Sequence, residues 1–178
     1  MNAWLSWWRS GFVHQIDRSW HHLTFFELSD TAKKQITEKH PLALLPLLSL
    51  SPLPVQPPDK RVLKWVELSQ GEETGVMALT RAICFQNART LTEPDNLWCE
   101  RIAKALRPET WLPSHWKGQP DELIALLLPL MSVGSWSRMR LRFHYSDVLK
   151  AEDSGDLPLP INRISALWDA VLYRIRET

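Results

Sequence analysis

Residues Gly75–Leu112 read GVMALTRAICFQNARTLTEPDNLWCERIAKALRPETWL, and this stretch decides the fold class. Val76, Leu79, Ala82 and Ile83 recur at helical spacing and make one apolar stripe. Thr92-Glu93-Pro94-Asp95 then has the composition of a helix start. Threonine accepts from an orphan N–H, proline is tolerated where no N–H partner is needed, and the acids face the positive helix end. A second helix follows, with Leu97, Trp98, Ile102 and Leu106 directed to a core and Pro108 as its terminator. The pair is a packing unit and carries no chemistry of its own. The expectation is an all-α chain: a single helical domain over 1–178, with a proline-rich linker at 51–58 and a minor strand element near 135–145 as the one alternative.

Composition bounds the classes. At 178 residues the chain is long enough to bury a core without a metal or disulfide. The apolar fraction is 44%, the charged fraction 23% and the net charge +1. A charge so near zero gives no electrostatic case for nucleic acid. Cys84 and Cys99 fall inside the helical pair and read as small buried apolar side chains in a reducing compartment. The opening MNAWLSWWRSGF lacks the positive lead and long apolar run of a signal peptide. The Leu-rich run between Pro41 and Val55 is cut by prolines and is no membrane span. A cytoplasmic chain without direct membrane insertion is expected.

Ten tryptophans and thirteen prolines set the sequence apart. Most of the tryptophans belong in the core, but ten exceed what one small core easily hides, so some are expected at a partner surface. Trp4, Trp7 and Trp8 share one side of a short helix over 2–9, closed by Gly11. His14, His21 and His22 lie near Asp17, yet their spacing fits no ligand motif. Ser29 or Asp30 caps TAKKQITEKH, which Pro41 ends. Residues 51–58 read as an extended connector, with Pro54-Val55-Gln56-Pro57 offering PxxP spacing. Asp59 caps KRVLKWVELSQ, with Val62, Leu63, Trp65 and Val66 inward. Gly71 is its expected stop, and Thr74 opens the central pair.

The second half begins with ELIALLLPLM, apolar all round and therefore buried, with a break at Pro129. In SVGSWSRMRLRFHY, Arg138, Arg140 and Arg142 alternate with Met139, Leu141 and Phe143. The alternation fits a strand; Trp136, Met139 and Phe143 also share a helix face. The three arginines form the densest positive feature and read either as a solvated face or as a contact for an acidic partner surface. A last helix over INRISALWDAVLYRIRE carries Ile161, Ile164, Leu167, Trp168, Val171, Leu172 and Ile175 on one stripe.

The search for chemistry finds no G-x-S-x-G, H-E-x-x-H, C-x-x-C or glycine-rich phosphate loop. The adjacent pairs Glu72-Glu73 and Asp121-Glu122 point apart on a helix. No catalytic, cofactor-binding or metal-binding set is expected. Trp4, Trp7, Trp8, Arg138, Arg140 and Arg142 are the candidate partner contacts.

The order of segments is itself a pattern. Phe12-Val13-His14 comes first, with Gln15 after the histidine. Leu44 to Leu50 is Leu-rich, Ala78 to Ala88 is a small-residue and arginine segment, and Met139 to Phe143 closes an arginine-hydrophobic-arginine run. This order resembles the SctK family of bacterial type III secretion systems, the YscK, PscK, MxiK and OrgA group, over most of the chain. The resemblance implies a non-enzymatic cytoplasmic adaptor of the injectisome sorting platform. Its implied partners are the inner-membrane ring protein SctD and the pod protein SctQ, and through it the stalk SctL and the ATPase SctN. A secretion chaperone or regulator that binds substrates is the alternative. An enzyme with a site assembled from distant residues is the third reading.

Overall fold

The computed structural model describes residues 3–87 and 90–177. Asn2 of the expected 2–9 helix and Ala88 of the Ala78–Ala88 segment lie outside the described residues. Among the described residues the chain is all-α, with no strand. Its α-helices are α1 Ala3–Arg9, α2 Asp30–Lys39, α3 Leu44–Leu47, α4 Lys60–Val66, α5 Gln70–Phe85, α6 Glu93–Leu106, α7 Pro120–Ala125, α8 Val133–Met139, α9 Tyr145–Asp153 and α10 Ile161–Glu177. Short 3-10 turns connect several of them. None of these helices is long and apolar enough to cross a membrane. Where the sequence reading takes 1–178 as one domain, the contacts divide the chain into two compact units. One unit takes Met1–Val66 with Met131–Leu149, and the other takes Glu67–Leu130 with Lys150–Thr178.

The first unit is built on tryptophan. Trp4, Trp7 and Trp8 pack their rings tilted or edge-on, with centres 5.4 to 6.4 Å apart, on the buried side of α1. The Trp4 indole donates to the Gln56 carbonyl at 2.8 Å, which ties the extended 51–58 segment to α1. Asp59 caps α4 by accepting from the Arg61 N–H at 2.8 Å, and Val62 and Trp65 go inward. Trp65 meets Phe143 edge-on, at 5.7 Å between ring centres. The Trp20 indole donates to the Phe143 carbonyl and the Asp17 N–H donates to Leu141, each at 2.8 Å. These bonds fix the 133–143 stretch as α8 followed by a 3-10 turn at Arg140–Arg142. The strand alternative near 135–145 is therefore corrected. Ser132 caps α8, and its period-two alternation reflects a helix whose arginines serve different neighbours.

The second unit carries the central pair. α5 starts earlier than expected: the Ser69 hydroxyl accepts from Glu72 N–H, and the Glu72 carboxylate accepts from Ser69 N–H. This reciprocal cap absorbs Gly71 and Thr74 into the helix, correcting the expected stop and start, because two satisfied donors outweigh one helical glycine. Val76, Leu79, Ala82 and Ile83 are buried as expected. Gln86 closes α5 in the left-handed region at φ 53°, and Thr92 caps α6. In α6 the inward residue is Cys99, while Leu97 is 51% exposed, against expectation. α10 lies on α5, with Ile164, Leu167, Trp168, Val171 and Leu172 buried. The Trp168 indole donates to the Leu126 carbonyl at 3.1 Å, which anchors the buried Leu123–Leu127 run.

Candidate partner-binding groove

The tryptophan face of α1 sets the position of Arg138. Helix α8 approaches α1 through Gly134, where a Cβ would stand 2.6 Å from Cη2 of Trp8. One helical turn later, Arg138 projects onto the same ring. Its guanidinium lies 4.1 Å from the Trp8 ring centre and 5.6 Å from that of Phe12. Nε donates to the Trp8 carbonyl at 2.9 Å, and Nη1 donates to the Gly134 carbonyl at 3.2 Å and the Ser137 hydroxyl at 3.4 Å. The residue is 3% exposed, and burial pushes its guanidinium down to about 10, so it is still a cation at neutral pH.

Arg138 and Trp8 line one side of an open groove of about 1030 Å³. The other sides come from Leu5 and Arg9 of α1, from Lys39 to Ala43, and from Pro52 to Val55 of the proline-rich segment. The Leu-rich segment reaches this position because Pro41 ends α2 and starts a 3-10 turn that leads into α3. Leu44 and Leu45 then turn inward, which leaves Leu42 outside at 80% exposure. Val55 and Leu5 are 52% and 45% exposed. The groove therefore has apolar walls, with Arg9, Lys39, His40 and Arg138 as its charged or titratable members, and none of the described residues that line it is acidic.

The expected partner contacts fall elsewhere than a free surface. Trp4, Trp7 and Trp8 are 1 to 4% exposed, and their rings pack on one another and on Arg138, so they build the interior and present no open anchor. Arg138 is buried in the same way. Arg140 and Arg142 are half-buried; Arg140 sits 5.2 Å from the Trp20 ring centre. The arginines thus do not form one exposed basic row. The sequence reading gives no role to Leu5 or Leu42, and it names Val55 only within the PxxP spacing of Pro54–Pro57. For Leu42 and Val55 the available signal is the proline before each, which frees them from a helix stripe; Leu5, inside α1, carries no such signal.

The second unit has a smaller groove, of about 730 Å³, lined by both cysteines with Lys104 and Arg107. Both thiols are free and buried, and burial pushes Cys84 up to about 12 and Cys99 up to about 11. Thiolates are thus disfavoured there, which makes these cysteines packing groups. His21 stacks on Phe26 at 4.0 Å and His22 meets Tyr145 at 4.7 Å. Among the described residues no three His, Cys, Asp or Glu side chains converge as a metal site.

No protein-family model, curated protein or solved structure matches this chain. The groove's own chemistry is what bears on function. It can cover an apolar surface and hold a negative charge.

Proposed function

We propose that this chain is a non-enzymatic cytoplasmic adaptor of a bacterial type III secretion sorting platform, of the kind the SctK resemblance implies. In this reading it joins the ring protein SctD to the pod protein SctQ, and so to the SctL and SctN ATPase complex. The observation that supports it is the open apolar groove of the first unit. One of its sides is the Pro41–Leu45 entry to the Leu-rich segment that carries part of the resemblance, and Leu42 stands there with four-fifths of its surface in water. Exposed apolar walls around a charged member suit protein contact, in which a buried apolar patch with few polar anchors supplies most of the affinity.

The same groove favours a second reading, a secretion chaperone or regulator that holds apolar segments of secreted substrates. Affinity purification of the tagged chain from its host, with mass spectrometry, separates the two. Pod, stalk and ATPase components are expected with the adaptor. Secreted substrates alone would point to the chaperone, and recovery of no secretion component would overturn both.

A further inference from the structure

The buried charge in the groove wall defines what the groove takes. Arg138 has hydrogen bonds on Nε and Nη1, all to neutral oxygens, and its Nη2 donates to none of the described residues. No carboxylate pairs with it among the described residues, nor with Arg9 or Lys39 at the rim. A cation taken out of water without a counter-charge is costly, and carbonyl dipoles offset only part of that cost. A carboxylate delivered from the groove side would complete it, because arginine's planar fork matches two oxygens.

The remaining walls say what carries that carboxylate. A small apolar ligand is held by burying most of its surface. Leu42, Val55 and Leu5 are too open to enclose one. An amphipathic helix laid lengthwise would cover them with side chains at i, i+3 or i+4, and i+7. The rim cations Arg9 and Lys39 favour negative flanks on the same segment and speed its approach.

We propose that this groove binds an amphipathic helical segment of a partner protein, with apolar side chains against Leu42, Leu53 and Val55 and one carboxylate on the Nη2 edge of Arg138. The assignment deepens the contact-protein reading and rests on it. It adds the chemistry of the partner: an apolar helix face interrupted by a single Asp or Glu, with acidic flanks.

The test is selection of a randomised displayed peptide library on the full chain, followed by fluorescence anisotropy with the enriched peptides. Because Arg138 also holds Trp8 in place, its charge is probed from the peptide side. Enriched sequences are expected to carry an acid within an apolar helical stripe. Replacing that acid by its amide should weaken binding about tenfold, and Leu42→Asp or Lys39→Glu in the chain should do the same. Enrichment of nothing, enrichment of peptides without an acid, or binding indifferent to Leu42→Asp would each overturn the proposal. So would a dimer of the chain alone that Leu42→Asp dissolves, since a second copy would then be the occupant. The selection requires no secretion apparatus. Its failure beside a successful purification from the host would move the adaptor's contacts off this groove and leave the adaptor reading standing.

Discussion

Arg138 and Trp8 hold each other twice: the guanidinium lies over the indole at 4.1 Å, and its Nε donates to the carbonyl of the same tryptophan at 2.9 Å. The ring is thereby clamped from its face and its backbone at once. Lysine can offer a charge but neither the flat face nor the fork. Arg138→Lys is expected to cost about 1.5–3 kcal/mol, the range for hydrogen bonds to a charged group. The shift of the urea midpoint measures it; an unchanged midpoint would show that the clamp carries no stability.

Gly134 is the position that lets the two helices come this close. A methyl group there would stand 2.6 Å from the Trp8 ring. Gly134→Ala is expected to destabilise by about 1–3 kcal/mol, as overpacking does. Gly71→Ala is the control, since it lies in α5 with nothing within 4 Å of the added carbon. Removing a helical glycine there should stabilise by about 0.5 kcal/mol. Thermal unfolding of both variants should show opposite signs.

In the second unit, the Thr92 hydroxyl and then Arg174 hold the Asp95 carboxyl below the usual carboxylate range, with Arg174 Nη2 at 2.9 Å. A lowered folded value means that the ionised form is favoured by folding. The stability it contributes is present in full above the ordinary Asp range and is lost as pH falls through the lowered value. Asp95→Asn should therefore be less stable at neutral pH and show a flatter loss of stability on the acid side. Urea midpoints measured from neutral to acid pH check this; parallel curves for the two proteins would contradict it.

The cysteines give a labelling prediction. With both thiols buried and their thiolates disfavoured, neither should react with iodoacetamide in the native protein at mildly alkaline pH. Both should react once urea unfolds the chain. Native labelling of either residue, read by mass spectrometry, would show that its helix opens locally.

The central helical pair was legible because its signals are local. Thr92, Pro94 and the Val76–Ile83 stripe each act within one or two turns. The start of α5 is equally local, in Ser69 and Glu72, but Gly71 lies inside that capping box and carries the opposite signal of a helix stop. Leu97 went wrong for a different reason. A helix stripe read alone does not say which of two adjacent apolar residues faces the neighbour, and Cys99 took the place. The groove is the least legible part, because it depends on contacts far apart in the chain. Arg138 is 130 positions from the carbonyl it binds, and nothing in a period-two run of arginines says that one of them lies under an indole. Trp4, Trp7 and Trp8 do share one side of α1, as their i, i+3, i+4 spacing says, but spacing alone does not tell whether that side meets the body or a partner, and their burial overturns the expected partner contact.

The measurement that bears most directly on function is purification of the tagged chain from its host in parallel with its Leu42→Asp variant. Leu42 is an exposed wall residue, so the variant is expected to keep its fold and to alter the groove alone. The adaptor account predicts that pod, stalk and ATPase components accompany the unaltered chain and are depleted from the variant. Absence of those components from both proteins would contradict it, and equal recovery by both would contradict the groove as the adaptor's contact.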